Sequence, residues 1–363
     1  AFAPDTLYYS VSMLDNQESG LTEIPVTNEE ENNGTIAAGE SKFLGNIYSS
    51  PQRQGFEKYW NQVTPENAGK WGSVEYSRDG MNWSSLDAAY NLAKDNGYLF
   101  RFHVLVWGAQ QPGWVEDLDS AALRAELEEW FQAVAERYPD IDYLEVVNEP
   151  LPGHNQPSYK DVLGGDGETG WDWIIEAFEM AHQYFPDTVK FMINDFNIVN
   201  SNSNTTAYLE IIDLLLERDL IDAIGVQSHD FSTGGDMGTV KNNLDRMAAT
   251  GLPIISTELD IAGESDAVQL KEYKRIFPTF WEHPNVEGVT LWGFRPGMWT
   301  ENGNLINSEG EERPALKWLK AYVNNTYTTP ESIEVSSVSG NTSIDTDAGT
   351  LEMNAQVLPE TTT

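Results

Sequence analysis

The sequence predicts an α/β protein, a (β/α)8 TIM barrel, and three observations support this fold class. Between residues 41 and 326, short apolar runs rich in β-forming residues alternate with longer segments of helical period. Eight such runs occur, which is the number of parallel strands that closes this kind of barrel. Polar residues suited to chemistry follow the runs directly, and the carboxyl ends of barrel strands are where functional groups gather.

The predicted strands and helices alternate as repeated βα units require. The eight apolar runs are KFLGNIY, NQVTPEN, FRFHVLVW, YLEVVNEP, KFMINDFN, AIGVQSH, PIISTELDI and GVTLWGF, beginning at Lys42, Asn61, Phe100, Tyr143, Lys190, Ala223, Pro253 and Gly288. Helices are predicted at Leu86–Lys94 with Ser84-Ser85 as the N-cap, and at Ser120–Tyr138, Thr205–Arg218 and Pro314–Val323. The last of these helices is expected to close the barrel.

Two terminal stretches lie outside the predicted barrel. Residues 1–40 are polar and acidic, and we expect a leader or linker there. Residues 327–363 contain two β-prone pieces, SIEVSSVSG and GTLEMNAQVLP, among serine, threonine and glycine. These pieces resemble the first strands of a bacterial immunoglobulin-like repeat. We therefore predict a linker and an incomplete immunoglobulin-like segment, because two strands do not make a sandwich.

The composition excludes several classes of protein. The chain carries 58 acidic and 21 basic residues, a formal net charge of -37, which argues against nucleic acid as a partner. No run approaches the ~20 apolar residues of a membrane helix, and the absence of cysteine excludes disulfides and thiolate chemistry. We expect a secreted monomer without membrane insertion. Its acidic surface serves either solubility alone or adaptation to salt, which screens self-repulsion.

The residues that end the eight apolar runs form an unusual set. Glutamates, histidines, carboxamides and tryptophans occupy positions where glycine, serine or aspartate is common: Glu66-Asn67, His103, Trp107, Asn148-Glu149, Asn194-Asp195, Gln227, His229, Glu258, Asp260 and Trp292. Taken singly, each has an ordinary structural explanation as a helix cap, a surface ion-pair partner or a packed ring. Their convergence at the same end of the same strands favours a functional site.

Glu149 and Glu258 follow the fourth and seventh runs, so they are predicted to face each other across the barrel mouth. Glycosidic cleavage needs two carboxyl groups, one to protonate the leaving oxygen and one to attack or stabilise the anomeric carbon. Asn148 is placed to donate to a sugar 2-hydroxyl, and His229 and Asp260 are placed to hydrogen-bond Glu258 and hold it ionised. A retaining enzyme requires a carboxyl separation of roughly 5–5.5 Å.

Six segments closely resemble the signature blocks of family-10 glycoside hydrolases, which are mostly endo-β-1,4-xylanases. They are WNQVTPENAGKW, HVLVWGAQQPGW, VVNEP, GVQSH, TELDI and GVTLWG, in the family's order between about Lys42 and Val323. The resemblance implies retaining hydrolysis of xylan and xylo-oligosaccharides, with Glu149 as acid/base and Glu258 as nucleophile. It also implies a sugar-binding shell of Glu66, Asn67, Lys70, His103, Trp107, Asn148, Gln227, His229, Trp292 and Trp299, with Asp260 in a supporting role.

The sequence departs from the family pattern near these blocks, and its segment from Tyr48 to Trp60 is also short. The usual WHSQ-type stretch reads WGAQ from Trp107, without the histidine, and the usual NDYN reads NDFN from Asn194, without the hydroxyl. Trp299 is shifted in register and is followed by Thr300 instead of an arginine. None of these changes affects the two glutamates, so they bear on subsite preference and not on the reaction.

Two alternative functions stay open at this point. A hydrolase of the same fold acting on β-1,4-glucan or mixed-linkage glucan would need room for the C5 hydroxymethyl group beside Lys70, Trp292 and Trp299. A carbohydrate-binding protein without catalysis belongs to a different class, and the presence of both glutamates argues against it. The sequence contains no HExxH motif and no clustered histidines, so we expect neither a metal nor another cofactor.

Overall fold

The computed structural model describes residues 34–325, 332–337 and 353–358. Eight parallel strands in the first range pair in chain order, and the eighth closes on the first. These strands are β1 Phe43–Tyr48, β2 Gln62–Pro65, β3 Leu99–Val106, β4 Tyr143–Asn148, β5 Lys190–Asn194, β6 Ala223–Val226, β7 Ile254–Leu259 and β8 Val286–Leu291. The predicted (β/α)8 barrel is therefore confirmed, with every predicted strand in its place.

An α-helix follows each strand from β2 to β8. In chain order they are α1 Trp71–Val74, α2 Ser84–Asn96, α3 Ser120–Arg137, α4 Asp172–Tyr184, α5 Asn202–Leu216, α6 Asp230–Thr233, α7 Met237–Ala248, α8 Asp266–Trp281 and α9 Pro314–Val323. The long helix α3 begins at Ser120 as predicted and ends one residue before the predicted Tyr138, and its N-cap Asp119 accepts a hydrogen bond from Ala122 N. The other predicted helices are also present.

The predicted N-cap at Ser84-Ser85 is wrong. Helix α2 begins at Ser84 itself, two residues before the first apolar residue of its period. The carboxamide of Asn82 accepts hydrogen bonds from Ser84 N at 3.2 Å and from Ser84 Oγ at 2.7 Å. Asn82 thus accepts a hydrogen bond from a backbone N–H of the first turn. The helix can therefore begin closer to its amino end than the apolar period indicates.

The barrel interior is filled in layers. At the amino ends of the strands lies an apolar layer made of Phe43, Tyr143, Met192, Ala223 and Ile255 with Leu99. A Cβ at Gly288 would lie 2.4 Å from the Phe43 ring, so only glycine fits at that position. A buried polar layer comes next, with mutual hydrogen bonds among Gln62, Thr64, Arg101, Glu145 and Thr290. These layers support the side chains at the carboxyl ends of the strands.

Residues Gly34–Leu319 form one compact unit that contains the whole barrel. Ile36 and Ala37, which precede the predicted start of the barrel, are buried, and Ile36 N donates to Tyr59 O at 2.9 Å. Separately, β9 Ser332–Ser337 and β10 Met353–Leu358 pair antiparallel. Most of the predicted leader lies outside the described residues, and the immunoglobulin-like assignment stays a prediction. None of the described helices is both long enough and apolar enough to cross a membrane.

Candidate active site

Glu258 is buried at the carboxyl end of β7, where its neighbours on both sides supply donors. Its backbone N–H donates to Gln227 O at 2.9 Å, which ties this strand end to the segment after β6. Oε1 accepts a hydrogen bond from Asn194 Nδ2 at 2.9 Å. Oε2 lies 3.3 Å from His229 Nε2. Both carboxylate oxygens are therefore held in place from within the barrel.

His229 is oriented by Asp260 on the side away from Glu258. Asp260 Oδ2 accepts hydrogen bonds from His229 Nδ1 at 2.7 Å, from Trp299 Nε1 at 2.8 Å and from Thr300 Oγ1 at 3.1 Å. The arrangement corrects the expectation that Asp260 bonds Glu258 directly. The imidazole lies between the two carboxylates, so Asp260 acts on Glu258 through His229.

The three groups form a charged cluster near neutral pH. Burial lowers the pKa of His229, but hydrogen bonds and attraction to Asp260 and Glu258 outweigh burial and raise the pKa to about 9. Burial raises the pKa of Glu258, but the hydrogen bond from His229 together with attraction to His103 and His229 outweighs burial and lowers the pKa below its usual value. An imidazolium therefore faces a carboxylate at the end of β7.

Glu149 follows β4 in the left-handed region of backbone conformation, with a φ of 56°. Its N–H donates to Asn194 O at 2.8 Å, which fixes this unusual conformation. Oε1 accepts from Gln227 Nε2 at 2.8 Å, and Oε2 accepts from Trp107 Nε1 at 2.9 Å and also from Asn155 Nδ2. All of these donors are neutral, in contrast to the imidazolium beside Glu258.

A chain of carboxamides links the two glutamates. Asn148 Oδ1 accepts from Asn194 Nδ2 and from Gln227 Nε2, each at 3.2 Å. The same Asn194 nitrogen donates to Glu258, and the same Gln227 nitrogen donates to Glu149. The ends of β4, β5, β6 and β7 thus form one connected network around the two carboxyl groups.

The remaining residues of the predicted shell lie on β3 or in the segments that follow β2, β3 and β8. Lys70 Nζ donates to Asn67 Oδ1 at 2.9 Å and lies 4.6 Å from the centre of the Trp107 ring. Burial lowers the pKa of Lys70, and four nearby glutamates, Glu66 among them, oppose that shift. The barrel thus places this lysine, with Asn67, beside the indole that bonds Glu149.

The buried ring of Trp292 lies against the rings of His103 and His229. The His103 and Trp292 rings meet edge to face with centroids 5.4 Å apart. Trp299 is 56% exposed, and its ring lies 4.7 Å from that of His229. These contacts place Trp292 and Trp299 beside His229, the side chain that lies against Glu258.

A buried ion pair beneath the site was missed by the sequence analysis. Arg101 Nη1 bonds Glu145 Oε2 at 2.5 Å, and His103 Nδ1 lies 2.9 Å from Glu145 Oε1. Burial raises the pKa of Glu145 to about 7, against the attraction of Arg101, and burial lowers the pKa of His103 well below its usual value. Strand alternation places Arg101 on the same face as His103, so a charged residue within an apolar run was the available signal.

Two groups of described residues have the spacing that a metal ion needs. One ligand atom from each of His103, Glu145 and Glu258 lies within 4.8 Å of the other two, and the same holds for Asp79, Glu126 and Glu129. In the first group, Arg101 and Asn194 already donate to the carboxylates, so the donor set is satisfied by hydrogen bonds. The expectation of a metal-free site stays a prediction.

The closed barrel, with two buried glutamates among carboxamides, imidazoles and indoles at its carboxyl end, has the architecture of a β/α-barrel glycoside hydrolase. Comparison with known families agrees with this class. The model of glycosyl hydrolase family 10 matches residues 27–322, and the chain belongs to this family.

Individual relatives give the same result. The chain is 39% identical over 282 residues to endo-1,4-β-xylanase B of Cellvibrio japonicus, covering 77% of this chain and 45% of that enzyme. It resembles the structure of GH10 from Paenibacillus barcinonensis, with a TM-score of 0.68 and 25% identity over 80% of this chain and 97% of the other. Native xylanase 10B of Thermotoga maritima shares the fold, with a TM-score of 0.69 at 23% identity, covering 80% and 97% of the two chains.

Proposed function

We propose that this chain is an endo-β-1,4-xylanase that hydrolyses internal xylosidic bonds of xylan and xylo-oligosaccharides with retention of configuration. The observation that carries the proposal is the contrast between its two glutamates. Glu258 faces the imidazolium of His229, whereas Glu149 accepts hydrogen bonds only from neutral donors among its described contacts. The relatives named above are endo-1,4-β-xylanases or members of their family, which supports xylan as the polymer.

We assign Glu258 as the nucleophile. A nucleophile must be ionised, and the hydrogen bond from His229 favours the carboxylate form of Glu258. Asn194 holds the other carboxylate oxygen, which limits rotation of the group. Attack on the anomeric carbon breaks its bond to the leaving oxygen and forms a glycosyl ester on Glu258, which water later hydrolyses.

We assign Glu149 as the general acid/base. Its carboxyl group donates a proton to the leaving glycosidic oxygen in the first step and removes a proton from water in the second. Gln227 and Trp107 hold one oxygen each, so the carboxyl group is fixed while its charge changes. Asn148 Oδ1 already accepts two hydrogen bonds, so its Nδ2 is the atom that meets a sugar 2-hydroxyl.

The product that forms first tests this assignment. Proton NMR during xylan hydrolysis is expected to show the β-anomer first, followed by slow mutarotation to the equilibrium mixture. The α-anomer appearing first would overturn the retaining mechanism. Reducing-sugar release should be much faster on xylan than on carboxymethylcellulose and should survive a chelator. The reverse preference would indicate a glucanase, and no release at all would indicate a binding protein.

The same proposal extends to location and organisation. We propose that the chain acts outside the cell, because xylan is a polymer too large to enter a cell. We also propose that the chain is a monomer. Residues 1–40 serve as a leader or linker, and residues 327–363 begin an immunoglobulin-like segment. Deleting 327–363 should leave activity on xylan unchanged. Loss of folding in that deletion would show that our boundary for the catalytic barrel is wrong.

A further inference from the structure

The loop of residues 151–158, which follows β4, brings an additional side chain to the site. Asn155 is exposed, and its Nδ2 donates to Glu149 Oε2, the oxygen that Trp107 Nε1 also bonds. Gln227 holds the other oxygen of the same carboxyl group. Asn155 is therefore the third side-chain donor to the Glu149 carboxyl group, although it does not lie at any of the predicted strand ends.

The backbone of this loop fills the space that a side chain at position 108 would need. A Cβ at Gly108 would lie 2.2 Å from Gln156 O and 2.7 Å from Asn155 O. Gly108 N–H donates to Asn155 O at 2.9 Å, so the two segments are in direct contact. Gly108 stands where the sequence lacks the histidine of the WHSQ-type pattern. The missing side chain and the carboxamide beside Glu149 are thus two parts of one arrangement.

Contacts on both sides fix this loop. His154 Nδ1 bonds Asp195 Oδ1 at 2.6 Å, and its ring stacks on Phe196 with centroids 3.8 Å apart. On the other side, Ser158 N–H donates to Gln111 Oε1 at 3.0 Å. The carboxamide is therefore presented by a backbone that is anchored to the segments after β3 and β5.

We propose that Asn155 is a positioning residue for the general acid/base, an inference that rests on the proposed role of Glu149. Its Nδ2 restrains Oε2 next to Trp107, so that the carboxyl group keeps one rotamer through both proton transfers. Without Asn155, Trp107 Nε1 is the only side-chain donor among the described contacts that restrains Oε2. Gly108 is part of the same device, because only glycine lets the loop come this close.

The variant Asn155→Ala tests the proposal with two kinds of substrate. On xylopentaose, whose leaving group needs a proton, we expect kcat/KM to fall by ~10-fold, mainly through kcat. On a dinitrophenyl β-xylobioside, whose leaving group needs no proton, the pre-steady-state burst of dinitrophenolate, which reports formation of the glycosyl-enzyme, should be unchanged. Asn96→Ala is the matched control. Asn96 is also an exposed asparagine, but it lies at the end of α2, where its carboxamide donates to Leu92 O at 2.9 Å.

Combined variants separate this proposal from simpler explanations. Gly108→Ala should displace the loop and cause the same leaving-group-dependent loss, and the double variant should be no worse than Asn155→Ala alone. In a Glu149→Ala background, Asn155→Ala should add nothing. A further loss in that background, or a loss confined to KM, would overturn the proposal by showing direct sugar binding. A loss in Glu149→Ala that ignores the leaving group would instead refute the role of Glu149 itself.

Discussion

The carboxyl ends of β4 and β7 hold the same type of residue in opposite surroundings. Glu258 lies against an imidazolium that a second carboxylate, Asp260, keeps protonated. Glu149 lies among an indole and two carboxamides, none of which carries charge. The comparison teaches that the proposed division of labour between the two glutamates depends on their hydrogen-bond donors and not on the glutamates themselves.

A third glutamate shows that burial alone does not select a catalytic group. Glu145 is fully buried on β4, yet Arg101 and His103 occupy its two oxygens. It lies one layer below the cleft, where it supports His103 and does not face substrate. A catalytic glutamate in this barrel needs both a strand-end position and an oxygen that reaches the cleft.

The largest expected effect comes from removing Glu258, the glutamate that faces the imidazolium of His229. Glu258→Ala should lower turnover by roughly 10⁴-fold or more on every substrate, because no glycosyl-enzyme forms. The loss should be the same for xylan and for aryl xylosides, and steady-state kinetics on both will measure it. Added azide should restore cleavage of a dinitrophenyl xylobioside and give the inverted, α-configured glycosyl azide. A retained azide product would exclude Glu258 as the nucleophile.

Glu149→Ala should produce a loss that depends on the leaving group. We expect ~10²–10⁴-fold lower kcat/KM on xylan, where the acid must protonate the leaving oxygen. Formation of the glycosyl-enzyme from a dinitrophenyl substrate should be nearly unaffected, which pre-steady-state burst measurements would show. Equal losses on good and poor leaving groups would mean that the two glutamates do not differ in the way the structure indicates.

The charged cluster at β7 also predicts how stability depends on pH. The pKa of His229 is about 9 in the folded chain, above its unfolded value of about 6.5, so the fold favours the protonated form. Its contribution is complete below pH ~6.5 and is lost as the pH rises through about 9. His229→Gln should therefore lower the free energy of unfolding by on the order of 1–3 kcal/mol near pH 6, and the difference from wild type should narrow toward pH 9.

The free energy of unfolding must be compared between wild type and His229→Gln, because Glu145 titrates in an overlapping pH range. Burial raises its pKa to about 7, so its ionisation also lowers stability as pH rises, in both proteins. The difference in urea unfolding between wild type and His229→Gln across pH 6 to 9 therefore cancels the contribution of Glu145 and measures that of His229 together with its partner Glu258. A gap that stays constant with pH would show that His229 is neutral, and the contrast between the two glutamates would lose its basis.

Much of this comparison could be predicted from the sequence. The barrel and the positions of Glu149 and Glu258 follow from local patterns, because a strand end is marked by the change from apolar to polar residues. The contact of Asn155 with Glu149 could not be predicted, since its loop is placed by residues distant along the chain. The partner of Asp260 was wrongly predicted for a related reason. Asp260 is close to Glu258 in sequence, which suggested a direct hydrogen bond, but His229, which follows the neighbouring strand β6, lies between the two carboxylates.

The smallest expected effect concerns salt, and it contrasts the buried charges with the surface. With a formal net charge of -37, the acidic side chains at the surface repel one another. Salt screens this repulsion, because the Debye length falls from ~10 Å at 0.1 M salt to ~3 Å at 1 M. The pair of His229 and Glu258 is buried and is screened little, so catalysis on neutral xylan should persist at molar sodium chloride. The melting temperature should not fall, because screening relieves surface repulsion. Xylan with glucuronic acid side chains should gain relatively more from salt than neutral xylan, since the acidic surface repels it. A melting temperature that drops steadily, or activity lost by half-molar salt, would show that the acidic surface provides solubility alone.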